Sequence, residues 1–436
     1  MKLFENIQEG DIELAGEFMY KLAERLYPIC RSITGNGVRE TLSILNEFIP
    51  LTITEVPTGT KVLDWEIPDE WNISDAWIKN AEGEKVVDFK KLNLHVLNYS
   101  VPVDKRIKLT ELKKHVYTIP EYPDWVPYRT SYYNRNWGFC LSHNQFESLP
   151  DGEYHVKIES ELKPGSLTYG EVFIPGKSKE EVLFSCHICH PSLCNDNLSG
   201  IVLATKLASL ISSMNLHYSY RFLFIPGTIG SIAWLSKNEN KLHNIKHGLV
   251  LTLLGDSTAF QYKRTRQENA EIDRIMEYVL NKKGGTKILD FSPYGYDERQ
   301  YCSPGFNLPV GRLSRTPFEE FPEYHTSADN LDFIGPVNLS ESLSLLMEIM
   351  TIIEGNKKYI NTHPKGEPQL GKRGLYNSIG GHHQNKDFRM ALLWVLNLSD
   401  GNHSLLDIAA KSGIEFEIIA DATEILKKAG LLKETE

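Results

Sequence analysis

The sequence predicts an α/β protein in which a mixed, mostly parallel sheet is sandwiched by helices. A small inserted β-rich domain and a C-terminal winged-helix domain accompany this main domain. Short apolar segments alternate with helical segments between residues 166 and 355, the pattern of a sheet covered by helices. Residues 58–140 differ in being rich in prolines and aromatic residues, and residues 361–436 contain three short helical segments.

The bulk composition is that of a folded, multi-domain protein without a broad cationic surface. The chain has 436 residues, which exceeds one ordinary core, and its 41% hydrophobic and 24% charged residues are typical of globular proteins. A formal net charge of −10 excludes binding to nucleic acid or to an anionic membrane through a large basic surface.

The N-terminus and the apolar segments predict a cytoplasmic protein. Glu5, Glu9 and Asp11 lie near the start, and no apolar segment follows a basic one, so we expect no secretory signal. No segment reaches the roughly 18 apolar residues that a membrane helix needs. Six cysteines are too few for a disulfide scaffold, so we expect free thiols in a reducing compartment.

The predicted main domain comprises residues 1–57 and 141–360. It begins with a helix over 12–29, whose apolar residues recur at helical spacing, and a second helix passes through Leu42 and Leu45. From Thr58 onwards prolines interrupt short apolar segments, and five of the seven tryptophans lie before residue 140. This mixture of aromatic and turn residues predicts an inserted β-rich domain over 58–140. By analogy with other inserted domains, we expect it to cover the functional site.

Strands and helices alternate through the remainder of the main domain. Continuous apolar segments predict strands that are buried on both faces, and the longer segments between them predict helices. The predicted strands are 169–174, 182–186, 220–225, 248–254 and 309–313. The predicted helices are 199–214, 267–282 and 337–354.

Residues 361–436 predict a winged-helix domain. Three helical segments, 390–396, 404–411 and 415–429, follow a stretch rich in proline and glycine. The domain holds nine Lys and Arg residues against ten Asp and Glu residues, so it lacks the basic excess of a nucleic-acid-binding domain. We expect a protein partner or a structural cap in preference to DNA binding. The adjacent His382 and His383 are interpreted as a solvated loop.

The densest chemical signal is residues 185–200, SCHICHPSLCNDNLSG. This segment starts at the end of a predicted strand and leads into a predicted helix, and ligands of open α/β sheets bind at that edge. His187, His190 and Asp196 supply imidazoles and a carboxylate. These groups suit zinc, and they can leave one coordination position open for water.

Three other interpretations of the same segment stay open. Residues 186–190, CHICH, match the C-x-x-C-H pattern of covalent haem attachment, which requires export and accessible cysteines. The cysteines, together with Cys194 or a histidine, also match a structural zinc site. Finally, the segment is compatible with buried thiols beside hydrogen-bonded core histidines.

Two motifs resemble the di-zinc aminopeptidase family. Residues 186–200 contain CHIC followed by NDNLSG, and residues 324–330, YHTSADN, follow about 130 residues downstream. The resemblance covers residues 1–57 and 141–355 and implies a zinc-exopeptidase-like fold. It further implies that His187, Asp196 and His325 bind metal, and that Tyr324 donates a hydrogen bond to a developing oxyanion.

The whole chain also resembles a bacterial family of aminopeptidase-like proteins. Proteins of that family carry an inserted domain of unknown function and a C-terminal winged helix, and they are associated with surface-polysaccharide pathways. This association adds no chemistry to the residues above.

Departures from the aminopeptidase pattern predict a single metal ion. After Gly227 the resemblance places two glutamates, a general base and a metal ligand, where this chain has Thr228 and Ile229. It places a further aspartate ligand at Thr252, and at Cys189 an aspartate that orients the first histidine. The ligands that remain are His187, Asp196 and His325, with His190 as the alternative to His187.

A general base must then come from another segment. The resemblance places two acidic stretches near the site, residues 297–298 and 319–323. We prefer Glu298 as the base, and its alternative interpretation is a solvated loop carboxylate.

These observations predict a hydrolase that uses one zinc ion to activate water and polarise the carbonyl of an amide. The expected substrate is a small peptide or an N-acyl or aminoacyl conjugate. Two other classes stay open, namely an inactive aminopeptidase fold that binds a ligand or protein, and a regulator that acts through the winged helix.

Overall fold

The computed structural model describes residues 3–318, 320–375 and 386–435. Glu319, His382 and His383, which enter the sequence predictions, lie outside these residues. The chain divides into two compact units. The larger unit comprises Glu9–Asp273 and Lys283–Leu343, and the smaller comprises Met1–Gln8, Arg274–Lys282 and Ser344–Glu436.

A mixed sheet of eight strands forms the centre of the larger unit. Its four middle strands run parallel, and antiparallel strands extend it on both sides. Every residue of Glu181–His187 and of Ser219–Ile225 is buried, as expected for strands covered on both faces. In sheet order the strands are Thr52–Pro57, Ser166–Ile174, Ser219–Ile225, Glu181–His187, Ile245–Leu251, Val310–Ser314, Gln261–Lys263 and Lys287–Leu289.

Helices flank this sheet and confirm the predicted fold class. The first helix, Glu9–Leu26, buries Ala15, Met19, Leu22 and Leu26 at helical spacing. Ser199–Ile211 packs against the middle strands, and Asn36–Leu45 packs against Ser166–Ile174. The larger unit also contains the helix Ile229–Asn238 and the short helices Leu109–Leu112, His143–Glu147 and Glu298–Tyr301. The helices Glu271–Leu280 and Pro336–Gly355 are divided between the two units.

The inserted segment forms a second, four-stranded antiparallel sheet. Its strands, in order, are Lys85–Asp88, Glu70–Lys79, Glu153–Lys163 and Val103–Lys108. Two small two-stranded sheets accompany it, Lys61–Val62 with Trp65–Glu66 and Val116–Tyr117 with Phe139–Cys140. Glu153–Lys163 pairs with two strands of this sheet. The sheet therefore continues beyond residue 140, where the composition of the sequence predicted the end of the inserted domain.

The C-terminal residues form three helices and a three-stranded sheet. The helices are Lys386–Leu398, Leu405–Ser412 and Phe416–Lys428. The strands Asp400–Ser404, Lys358–Asn361 and Leu432–Glu434 lie side by side in that order. Ser404 and Asp407 form a capping box that starts the middle helix. Among the described residues, no helix combines the length and the apolar composition needed to cross a bilayer.

Candidate metal centre

Three imidazoles surround the carboxylate of Asp196. His187 is the last residue of the strand Glu181–His187, and its Nε2 lies 2.8 Å from Asp196 Oδ1. His190 Nδ1 lies 3.9 Å from the same oxygen, and His325 Nε2 lies 3.0 Å from Asp196 Oδ2. The structure therefore brings all four predicted metal ligands together, although they come from two segments about 130 residues apart.

The donor atoms of this cluster are of the kinds that could hold a cation. His190 Nδ1, Asp196 Oδ2 and His325 Nε2 are buried and form no hydrogen bond of suitable geometry among the described residues, although the last two atoms lie 3.0 Å apart. Each buried polar atom left in that state costs about 1–3 kcal/mol, which a bound cation would offset. The ligand atoms of His187, His190 and Asp196 lie within 4.8 Å of one another. Nitrogen and carboxylate donors grouped in this way fit zinc.

Burial sets the charge states in the cluster. It lowers the pKa of His187, and it lowers the pKa of His190 more strongly, so both imidazoles are neutral at pH 7. Burial also opposes ionisation of Asp196, but the neighbouring imidazoles outweigh it and hold the pKa of the carboxyl well below its usual value. Neutral imidazoles beside an ionised carboxylate are the protonation states that metal binding requires.

The loop that carries Asp196 is held by Asp329. The backbone N–H of Asn195 donates to Asp329 Oδ1 at 2.6 Å, and that of Asp196 donates to Asp329 Oδ2 at 2.9 Å. Asp329 is fully buried. Sequence reasoning placed Asp329 within the second motif without giving it a role, because its contacts are to backbone atoms that no side-chain pattern reveals.

The inserted segment holds the loop that carries His325. Pro127 and Thr326 form an antiparallel bridge. The N–H of Tyr128 donates to the carbonyl oxygen of His325 at 2.7 Å, and the N–H of Ser327 donates to that of Val126 at 2.8 Å. His325 has a φ of 55°, a conformation that non-glycine residues rarely adopt without such support.

The cysteines of the first motif are buried thiols outside the metal cluster. Burial raises the pKa of Cys189 to about 12 and that of Cys186 well above its usual value. Within the described residues, the single cluster suited to a metal ion contains no cysteine. Cys189 contacts Gly227 O and the Tyr296 hydroxyl, both at 3.7 Å. This arrangement favours neither haem attachment nor a cysteine-bound structural zinc.

The surroundings of Glu298 and Tyr324 differ. Glu298 is fully buried, its Oε1 accepts from Lys263 Nζ at 3.0 Å, and its Oε2 accepts from the Tyr296 N–H at 3.0 Å. Both oxygens are therefore engaged, which disfavours Glu298 as a general base. The ring of Tyr324 lies parallel to that of His325, with centroids 3.9 Å apart.

At two other positions the structure places neutral groups where the aminopeptidase pattern has carboxylates. Thr252 is buried, and its hydroxyl has no hydrogen-bond partner in the described part of the chain. Thr228 lines the cavity described below. Neither position therefore supplies a carboxylate to the cluster.

A cavity of about 420 Å³ opens beside the cluster. His190, His325 and Tyr296 line it from the main domain, and Tyr128 and Arg129 line it from the inserted segment. The ring of Tyr296 lies 3.9 Å from that of His187, measured between centroids. The cavity thus gives a small molecule access to two of the four clustered side chains. Its remaining lining residues are Ile33, Trp65, Thr130, Tyr132, Tyr133, Gly227, Thr228, Ile229, Ile232, Gly295 and Arg299.

Asp297 is a buried acid next to this region. Its Oδ1 accepts from the Ser231 hydroxyl at 2.8 Å, and its Oδ2 has no partner among the described residues. Burial raises the pKa of Asp297 to about 7. The folded protein therefore binds more protons at this carboxyl than the unfolded chain does between pH 4 and pH 7, approximately.

Replacing Asp297 by asparagine should change the pH dependence of stability. The parent protein should lose stability as the pH rises from about 4 to about 7, by on the order of 4 kcal/mol at most from this residue. The asparagine side chain keeps an acceptor for Ser231 without that ionisation, so Asp297→Asn should gain stability relative to the parent between about pH 5 and pH 8. Denaturant unfolding at both pH values tests this, and equal pH slopes for the two proteins would contradict it.

Family comparisons cover nearly all of the chain. Residues 20–356 match the model of a family described as a domain of unknown function, DUF4910. Residues 357–434 match a winged helix-turn-helix family, which confirms the predicted C-terminal winged-helix domain.

Two matches to proteins of Clostridium acetobutylicum each cover 98% of this chain and 98% of the matched chain. One is a protein named "Putative polysaccharide biosynthesis protein with aminopeptidase-like domain", which is 54% identical over 426 residues. The other is a crystal structure of a protein named "putative peptidase", with 52% identity and a TM-score of 0.93.

A more distant likeness is to a zinc aminopeptidase from Bacillus subtilis. The TM-score is 0.58 at 12% identity, and the match covers 78% of this chain and 95% of that one. At this identity the likeness concerns the fold, and it confirms the zinc-exopeptidase-like architecture predicted from the two motifs.

Proposed function

The chain belongs to the DUF4910 family, and we propose that it is a zinc-dependent hydrolase of amide bonds in small peptides or N-acyl conjugates. The observation that carries the proposal is the position of His187 and His325 on either side of the Asp196 carboxylate, at 2.8 and 3.0 Å from its oxygens. Asp196 Oδ2 and His325 Nε2 are buried and form no hydrogen bond of suitable geometry among the described residues. The aminopeptidase-like name of the relative and the zinc-aminopeptidase fold point to the same class.

We assign His187, Asp196 and His325 as the ligands of one zinc ion. His187 and His325 lie nearer to the Asp196 carboxylate, at 2.8 and 3.0 Å, than His190 does at 3.9 Å. When bound, zinc supplies Lewis-acid polarisation of the amide carbonyl and lowers the pKa of water towards about 7.

His190 is then the proton acceptor in this proposal. It lines the cavity, and its Nδ1 has no hydrogen-bond partner among the described residues. His190 would take the proton of the attacking water and pass it to the departing amine. His190 thus takes the general-base role that the sequence analysis gave to Glu298. We propose that Glu298 instead holds the Tyr296 loop by accepting a hydrogen bond from the Tyr296 N–H.

Tyr296 is the best-placed hydrogen-bond donor for the oxyanion. It lines the cavity and lies against His187, whereas Tyr324 stacks on His325 and is absent from the cavity lining. Burial raises the pKa of Tyr296 well above its usual value, so its hydroxyl keeps the proton that it would donate. We propose that Tyr324 acts by positioning His325.

Tyrosine-to-phenylalanine variants test this division of roles. We expect Tyr296→Phe to lower kcat by about 10²- to 10³-fold with little change in KM, as for loss of an oxyanion donor. Tyr324→Phe keeps the ring that stacks on His325 and should retain most of the activity. Tyr122→Phe, in the inserted segment and 40% exposed, is the control. A large loss in Tyr324→Phe together with an active Tyr296→Phe would restore the oxyanion role to Tyr324.

A binding module without turnover is the second candidate function. The absence of carboxylates at Thr228 and Ile229, where the aminopeptidase pattern has its base and a ligand, is the observation that favours it. Metal analysis combined with hydrolysis of a panel of N-acyl and aminoacyl anilides separates the two. We expect one zinc ion per chain and measurable hydrolysis, and a metal-free, inactive protein would favour the binding module.

The winged-helix domain is proposed to bind a protein partner. Its Lys and Arg residues do not outnumber its Asp and Glu residues, so a charge-driven DNA contact is disfavoured. Salt-dependent retardation of DNA by the full chain would contradict this assignment.

A further inference from the structure

The cavity beside the metal centre is lined by positive charge. Arg129 and Arg299 line it, and none of its described lining residues is an aspartate or glutamate. The chain as a whole has a formal net charge of −10, so the cavity departs from the acidic character of the protein. A concave site of one charge sign attracts small molecules of the opposite sign.

Among the described residues, the Asp297 carboxyl interacts electrostatically with Arg299 without forming an ion pair with it. In the described part of the chain, no carboxylate forms an ion pair with either guanidinium, and the Nε of Arg299 is buried without a hydrogen-bond partner. By contrast, Arg221 pairs with Glu171 and Glu181 at 2.6 Å. A guanidinium is suited to bind a carboxylate or phosphate through two parallel hydrogen bonds, so Arg129 and Arg299 are available for such a group on a ligand.

The same lining is unfavourable for a free amino terminus. A protonated α-amine in this cavity would meet two guanidinium groups and no described carboxylate in the lining. Like charges repel, so the two guanidinium groups disfavour a cationic substrate group in this cavity. An amine-recognising exopeptidase would need the opposite arrangement.

We propose that the substrate is an N-acyl compound bearing a carboxylate or phosphate, which Arg129 and Arg299 bind beside the metal centre. This inference rests on the proposed hydrolase function and narrows its substrate class. Trp65 and Tyr133, whose rings pack with centroids 5.6 Å apart, add an aromatic wall to the same cavity. Such a wall packs against the ring or chain of the substrate while the arginines bind its charge.

Calorimetric titration of the full-length, zinc-loaded protein tests the inference. The probes are N-acetyl-L-glutamate, its uncharged analogue N-acetyl-L-glutamine amide, N-acetyl-O-phospho-L-serine and the cationic leucinamide. We expect one of the two anions to bind about 10- to 100-fold more tightly than the uncharged amide. The tighter anion identifies the preferred group. The preference should weaken as salt is raised.

Arginine variants show whether the preference arises at this cavity. Arg129→Gln and Arg299→Gln should each reduce the preference for the anion by about 10-fold. Arg106→Gln removes an arginine that is 67% exposed and lies on the inserted sheet outside the cavity, and it should leave binding unchanged. An unchanged preference in both cavity variants, or equal binding of leucinamide and the anions, would overturn the inference.

The experiments distinguish a wrong substrate class from a wrong hydrolase assignment. If the arginine-dependent preference is present but no amide is hydrolysed, the hydrolase assignment fails and the anionic ligand class stands. If uncharged or amine-bearing amides are hydrolysed faster than anionic ones, the hydrolase assignment stands and the substrate class is wrong.

Discussion

Purified protein should bind one zinc ion per chain, and Asp196→Ala should lose it. Asp196 lies against His187, His190 and His325. Its removal takes away the only carboxylate in the described cluster and, with it, the negative charge that balances the charge of the cation. Loss of an outer hydrogen-bond partner of a metal ligand costs about 10- to 100-fold in affinity. We expect removal of the carboxylate to exceed that range and to abolish hydrolysis.

Histidine variants separate the ligands from the proposed proton acceptor. His187→Ala and His325→Ala should lose zinc, whereas His190→Ala should retain zinc and lose about 10²- to 10⁴-fold in kcat. His243→Ala, an exposed histidine on the same unit, is the matched control. Elemental analysis after dialysis measures the metal. Zinc lost from His190→Ala and kept in His187→Ala would exchange the two assignments, and two zinc ions per chain would contradict the single-metal site.

The central sheet could be predicted because its strands carry strong local signals. Ser219–Ile225 and Glu181–His187 are continuous apolar segments that match buried parallel strands. The strand Glu153–Lys163 of the inserted sheet was harder to place because it pairs with Glu70–Lys79, far away in sequence. Its buried residues alternate with less buried ones, and that period of two was the available signal.

The proposed metal ligands were named from two motifs, but the motifs did not predict how their roles divide. His187 and His190 lie three residues apart, and only the fold shows that His187 ends the strand while His190 lines the cavity. Arg129 and Arg299 were missed because an arginine in a loop or short helix has no distinctive pattern. Their significance arises from the shared cavity and from the lack of ion-pair partners among the described residues.

Asp329→Ala should destabilise the protein and weaken zinc binding together. The substitution leaves the backbone N–H groups of Asn195 and Asp196 without their acceptors, inside a fully buried loop. An unsatisfied buried N–H costs about 1–3 kcal/mol, so we expect a loss of about 2–6 kcal/mol in the free energy of unfolding. Because this loop fixes Asp196, zinc affinity should fall by about 10- to 100-fold.

The change in zinc affinity distinguishes a positioning role from a purely structural one. Asp329→Asn retains one oxygen acceptor of nearly the same shape and should recover part of both losses, since only one backbone N–H then lacks its acceptor. Asp332→Ala, an exposed residue on the next turn, should leave both quantities unchanged. A destabilised Asp329→Ala that binds zinc as tightly as the parent protein, measured where both remain folded, would show that Asp329 supports the fold without orienting Asp196. If instead affinity falls in proportion to the number of lost acceptors, the carboxylate sets the geometry of the ligand loop through its backbone.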